Sequence, residues 1–185
     1  MKAYESSNRM VDMLRDILLS EKVESNNFET SHTPSMMPDL GENLLIELRP
    51  LAERKQITLA TQYSEPTYNP LPIDSTHMRA VLQNLLENAI KYSRPGGTVT
   101  LATRIENGRF IISISDAGIG IPPDQQPMLF KRFFRASNAI RVETDGSGLG
   151  LYIVKRIVEQ NHGTITFTSI EGIGTTFIIS LPISV

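Results

Sequence analysis

Residues 75–116, STHMRAVLQNLLENAIKYSRPGGTVTLATRIENGRFIISISD, contain a change of hydrophobic period that decides the fold. Over the first eighteen residues the apolar positions Val81, Leu82, Leu85, Leu86, Ala89 and Ile90 form adjacent pairs that recur every four residues, the stripe of a helix with one buried face. Asp74 or Ser75 is placed to cap its exposed amides, and Arg94-Pro95-Gly96-Gly97 stops it after Tyr92. The period then falls to two. Strands are expected at 98–105 and 109–116, joined by Asn107-Gly108, a dipeptide suited to a two-residue hairpin because both residues tolerate positive φ. A helix followed by a hairpin, each with one apolar face, implies a helical layer on a sheet.

Working outward, Leu40, Leu44, Leu45, Leu48 and Leu51 predict a helix over about 39–55, followed by a strand near 57–62. A helix over about 148–160 ends at His162-Gly163, and strands near 164–170 and 175–181 flank the Gly172–Gly174 turn. Strands and helices mix without strict alternation, so the expected architecture is a two-layer α/β sandwich with a mixed, mainly antiparallel sheet and about three helices on one face. Residues 117–147 have no sustained period and are broken by glycine and proline. Such a length is unusual for an idle connection and reads as a functional lid. Upstream, Met10, Met13, Leu14, Ile17 and Leu18 mark an amphipathic N-terminal helix over 4–24. Residues 25–38, SNNFETSHTPSMMP, read as a linker, giving segments 1–27, 28–37 and 38–185.

Composition removes several function classes. The 185 residues carry a net charge of -2 with scattered Lys and Arg, which gives no electrostatic footprint for nucleic acid. There is no cysteine, so disulfides and thiolate metal sites are excluded. No apolar run approaches the roughly 20 residues that span a bilayer, and the expectation is a soluble piece whose longer parent could be membrane-bound.

Three features carry chemistry. Asn84, Asn88 and Lys91 stack on one ridge of the central helix, where carboxamide oxygens suit a metal ion and an ammonium suits phosphate; a plain solvated stripe is the alternative. Asp116 shares its strand face with Phe110, Ile112 and Ile114, so its carboxylate needs a hydrogen-bond donor such as an adenine amine, unless it has already left the sheet to stabilise the Asp-Ala-Gly turn. Gly118 and Gly120 precede the lid, and Gly146, Gly148 and Gly150 in GSGLGL follow it at a helix start, an arrangement that lets backbone amides approach phosphate. Without Gly-Lys-Ser/Thr it is no P-loop, and GSGLGL follows a polar lid rather than a buried strand, so a dinucleotide fingerprint fails too.

In order, NLLENAIKYS (84–93), DAGIGIP (116–122), LFKRFFRA (129–136) and GSGLGLYIVKRIVEQNHGTI (146–165) resemble the N box, first glycine box, F box and second glycine box of sensor histidine kinases. The resemblance covers about 36–183, and 4–25 is similar to the second helix of the dimerisation and phosphotransfer domain. It implies the Bergerat fold, with ATP and Mg2+ as cofactors. Asn88 would then be the metal ligand, Asn84 would line the phosphate end, Lys91 would meet phosphate and Tyr92 would lie along adenine. Asp116 would read the adenine amine, with Gly118 and Gly120 shaping the same wall. Gly146, Gly148 and Gly150 would close over the triphosphate, and Phe130, Phe133 and Phe134 would anchor the lid as well as pack the core. Arg135 would reach the γ-phosphate or a partner helix. Ile121, Ser147, Leu149, Leu151 and Thr175 complete the implied nucleotide-binding set.

Two departures from the pattern matter. In hydrolysing relatives a water-activating glutamate lies four residues before the metal-binding asparagine. Here that position is Asn84, and Glu87 is rotated from Asn88 by about 100°. Transfer to an incoming side chain is therefore expected over hydrolysis by a conformational switch; a serine kinase or nucleotide-sensing module is the other alternative. No histidine has the acceptor pattern: His32 lies in the linker, His77 opens a helix, and His162 sits at a turn. The implied partners are a histidine-bearing dimerisation domain of the same kinase, within a homodimer, and a downstream response-regulator receiver domain. The implied location is cytoplasmic, with a parent possibly anchored in the cytoplasmic membrane.

Overall fold

Asn107 and Gly108 have φ of 51° and 72°, the paired positive values of a type I′ turn, and they join strands β2 (Thr98–Glu106) and β3 (Arg109–Asp116) in register from Glu106–Arg109 to Thr100–Ser115. The structure is a computed structural model; it describes residues 37–64 and 74–183, together with Met13, Leu14, Ile17, Leu18, Ser20 and Glu21, which are helical. The rest of the 4–24 helix and residues 25–36 of the linker lie outside the described residues.

Around the hairpin lie β1 (Thr58–Tyr63), β4 (Thr164–Ile170) and β5 (Gly174–Pro182), in the sheet order β1-β2-β3-β5-β4. Only β1 pairs in parallel, with β2; the other pairings are antiparallel. The mixed, mainly antiparallel sheet expected from the sequence is present.

Helices α1 (Met37–Arg54), α2 (Ser75–Tyr92) and α4 (Gly150–Gln160) form the second layer, and α3 (Ser137–Val142) is a short helix within the lid. Helix α1 begins two residues earlier than its leucine period indicates, taking Met37 and Pro38 from the expected linker; proline is tolerated in a first helical turn, where its missing amide would have no partner. Pro50 sits inside the same helix, and the carbonyl it leaves unpaired belongs to Ile46, an exposed residue where water can serve. At the start of α2, Asp74 Oδ1 accepts the amide of His77 at 2.9 Å.

The alternation within β3 is as read: Phe110, Ile112 and Ile114 are almost wholly buried, and their face continues through Val99, Leu101, Ile179 and Leu181. Against it pack Leu44 and Leu48 of α1, Val81, Leu82, Leu85 and Leu86 of α2, and Ile153, Val154 and Ile157 of α4. The opposite face carries the hydroxyls of Thr98, Thr100, Ser113, Ser115, Thr176 and Ser180 around Ile178 and a buried Ile111. No described helix is long and apolar enough to cross a membrane.

Candidate functional site

Helix α2 buries its leucines against the sheet and turns a polar stripe away from it. Ala80, Gln83, Asn84, Glu87, Asn88 and Lys91 follow one another at steps of three and one, so that each has a neighbour three or four residues away, and together they form one wall of a cavity of about 830 Å³. The far walls come from the end of β3, the loop behind it, the lid, and the start of α4. Tyr92, Asp116, Gly120, Ile121, Arg135, Gly146, Ser147, Gly148, Gly150, Leu151 and Thr175 all line this space with Asn84, Asn88 and Lys91.

Asp116 reaches the cavity from the sheet face that its alternation indicates. Its Oδ1 accepts the amides of Gly118 at 2.9 Å and Thr175 at 3.2 Å. The Asp-Ala-Gly turn and the inward-facing acid are thus the same side chain in one conformation. Burial pushes its carboxyl up from 3.8 to about 6, and the two amides offset only part of that rise.

Along α2 the ridge residues are held differently. Asn84 Nδ2 donates to the Ala80 carbonyl at 3.1 Å, which turns Oδ1 toward Gly150; a methyl group added there would stand 2.4 Å from it. Among the described residues none hydrogen-bonds the Asn88 carboxamide. Lys91 Nζ donates to Glu87 Oε2 at 2.9 Å, and Gln83 Nε2 donates to Glu87 Oε1 at 3.0 Å. Rotation by about 100° from Asn88 does not remove Glu87 from the cavity wall, since a wall spans such an arc. Both of its oxygens are nevertheless engaged. Lys55, from the turn after α1, donates to the Lys91 carbonyl; burial lowers its pKa, opposed by Glu143 of the lid and reinforced by Lys91.

Three residues from the expected set stand outside the lining. Gly118 packs behind it against the Tyr92 backbone, where a methyl group would be 2.4 Å from the carbonyl oxygen. Leu149 is fully buried in the core. Phe130 lies in an aromatic cluster, its ring edge-on to Phe167 at 5.8 Å and to Phe177 at 6.5 Å. The F box departs in part from the expected lid anchor packed in the core: 129–133 forms turns, and Phe133 adopts φ 61° and is 60% exposed, with the Arg132 guanidinium 5.3 Å from its ring. It is therefore not core, whereas Leu129 and Phe134 line the cavity.

Arg132 joins the N-terminal segment to this region, donating to Ser20 Oγ and Glu21 Oε1 at 3.0 Å each. Met13 borders the cavity and Ile17 packs on the core.

Sequence reasoning missed Asn138. Its Nδ2 donates to Gly120 O at 2.9 Å, which fixes the amide orientation because an oxygen facing that carbonyl would be repelled. Its Oδ1 is left buried without a hydrogen-bond partner, an acceptor suited to a donor on a bound molecule. Nothing periodic marks it in the lid. Gln83 and Glu87, by contrast, were accessible from the three-and-four spacing of the ridge.

Residues 73–185 match the family model described as Histidine kinase-, DNA gyrase B-, and HSP90-like ATPase. The chain belongs to that family. Within this ATPase family its relatives are sensor kinases: it is 32% identical over 180 residues to the circadian input-output histidine kinase CikA of Synechococcus elongatus, covering 97% of this chain and 24% of that protein. It is 34% identical over 181 residues to the sensor protein GacS of Pseudomonas syringae, covering 96% of this chain and 20% of that protein. The chain therefore spans about a quarter or less of the length of these two relatives. Among solved structures, full-length ShkA in complex with AMPPNP superposes with a TM-score of 0.84 at 28% identity, over 96% of this chain and 36% of that one. The mycobacterial sensor histidine kinase MprB gives 0.70 at 32% identity, over 81% and 97%. The chain is an ATP-binding catalytic domain of the sensor histidine kinase type.

Proposed function

We propose that this domain binds Mg-ATP in the 830 Å³ cavity and transfers the γ-phosphate to a histidine that this chain does not contain. The observation that carries the reading is convergence: the polar ridge of α2, the half-buried Asp116 and the two glycine segments meet around one space of nucleotide size.

The residues fit the ligand. Among the described residues no trio of His, Cys, Asp or Glu gathers as a metal cage. A hard divalent ion would instead take the carboxamide oxygen of Asn88 and complete its shell from phosphate oxygens and water, the habit of magnesium. When bound, that ion would neutralise charge on the transferring group. Asn88 is the proposed ligand, Asn84 orders the phosphate end through Gly150, and Lys91 offsets phosphate charge. Asp116 accepts the adenine amine, Tyr92 lies along the ring, and the amides of Gly146, Gly148 and Gly150 at the α4 N-terminus face the triphosphate. Glu87, with both oxygens hydrogen-bonded, is not set to take a proton from water, which favours transfer over hydrolysis.

Residues 1–27 are proposed to belong to a dimerisation and phosphotransfer domain, joined by a linker over 28–37, with a response-regulator receiver domain as downstream partner and a homodimer in the full-length protein. Calorimetry tests the ligand assignment. Asn88→Ala should weaken ATP binding about tenfold or more with magnesium present and little in EDTA, as loss of one metal ligand requires. Equal affinity of variant and wild type in magnesium would reject it.

A further inference from the structure

Arg135 stands at the base of the lid, where the resemblance implies a γ-phosphate ligand or a contact to a partner helix. Its guanidinium is directed elsewhere. Nη1 donates to the Thr144 carbonyl at 2.9 Å and lies 3.5 Å from the Gly146 carbonyl, and Nη2 donates to the Glu143 carbonyl. Gly146 has φ 149°, and a methyl group there would meet Arg135 Cζ at 3.3 Å, so backbone and guanidinium are packed face to face. Two residues on, Gly148 has φ 70° and lies against the Phe133 backbone, with 2.7 Å from an added methyl group to the Phe133 carbonyl carbon. The two ends of the lid, 133–135 and 146–148, are thereby closed on each other.

We propose that Arg135 is a positioning residue, a side-chain staple that shapes the returning arm 143–146 before any nucleotide arrives and so presents the glycine amides to the phosphates. A guanidinium is chemically suited to this: it is planar, permanently charged, and offers five donors in a fixed fork, enough for several carbonyls at once. An ammonium is a point donor on a flexible stem and cannot span the same carbonyls in the same geometry. The arm it holds leads directly into Ser147 and the start of α4, so loss of the staple frees the segment whose amides must face phosphate. The idea deepens the nucleotide-site reading and rests on it only for its second readout.

The first readout needs no nucleotide. Cleavage at Glu143 by a glutamyl endopeptidase, in the full chain without ligand, should be about tenfold faster in Arg135→Lys and Arg135→Gln than in wild type, in line with loss of roughly one charge-assisted hydrogen bond at a partly exposed site. Thermal melts of the same samples separate local release of the arm from failure to fold. The second readout is affinity for AMPPNP and ADP: a staple lowers both by the same factor, because it acts through the arm. Gly146→Ala, which disturbs the same packing from the backbone side, should add little when combined with Arg135→Lys. Unchanged cleavage at Glu143 together with a loss confined to AMPPNP would overturn the proposal and make Arg135 a γ-phosphate ligand. If wild type bound neither nucleotide, the site reading would fail while the cleavage readout still judged the staple.

Discussion

Asp116 sits where two demands on a carboxylate conflict. Its place among Phe110, Ile112 and Ile114 makes ionisation expensive, and the amides of Gly118 and Thr175 relieve only part of that expense, leaving the carboxyl at about 6 against 3.8 in the ordinary case. A folded-state value above the unfolded one means that the folded chain is favoured while the acid is neutral. The associated stability is fully present below about pH 4 and is lost as pH rises through about 6. Asp116→Asn keeps the accepting oxygen and removes the charge. Melting temperatures of the two proteins should coincide near pH 4 and diverge in favour of the variant, by several degrees, between pH 6 and 8. A gap that does not change with pH would show that the carboxyl is not paying for burial. The direction of Asp116 was legible because strand alternation is a strict geometric rule. Asn138, equally close to the cavity, was not, because a polar residue in an aperiodic lid has no period to betray which way it faces.

At the level of elements, the junction between α2 and α4 is where architecture becomes site. Asn84 is fixed by its bond to the Ala80 carbonyl, and Gly150 passes so close to its oxygen that no side chain fits without displacing the amide. Gly150→Ala therefore separates stability from function. Alanine is the better helix former by about 1 kcal/mol, which offsets much of the strain, so the melt should move little. The Asn84 amide, however, must swing off Ala80, and ATP affinity should fall about tenfold, the scale of one lost or misplaced hydrogen bond. A variant that binds ATP as wild type does, measured by calorimetry, would remove Asn84 from the site. Elements with a sustained period, α1, α2, α4 and all five strands, were readable to within a few residues. The F box was not: Phe130, Phe133 and Phe134 have helical spacing, yet Phe133 turns into the left-handed region beneath Arg132, and the chain there makes turns. Spacing reports a helix only when the backbone repeats, and here tertiary closure of the lid overrides it.

Across the described residues, the cavity and the histidines do not meet. His77 is 4% exposed, its amide held by Asp74 and its imidazole pKa lowered chiefly by burial, so it is neither accessible nor placed as an acceptor. His162 occupies an exposed turn after α4, and neither of the two lines the cavity; His32 lies outside the described residues. In-line phosphoryl transfer depends on placing the acceptor against the γ-phosphate, and positioning supplies most of the catalysis. Neither His77 nor His162 is so placed, which fits the proposed transfer to a histidine on other helices, and the contact of Arg132 with Ser20 and Glu21 brings the N-terminal segment against the F box. Incubated alone with γ-labelled ATP, the chain should gain no acid-labile label, and adding the histidine-bearing dimerisation helices of the same kinase should place label on those helices. A phosphohistidine on the isolated chain would defeat this expectation. Steady ATP consumption without any acceptor would defeat it differently, in favour of a hydrolytic switch, and Glu87→Gln would then tell whether the carboxylate on the ridge of α2, rather than Asp116, Glu143 or Asp145 across the cavity, activates the water.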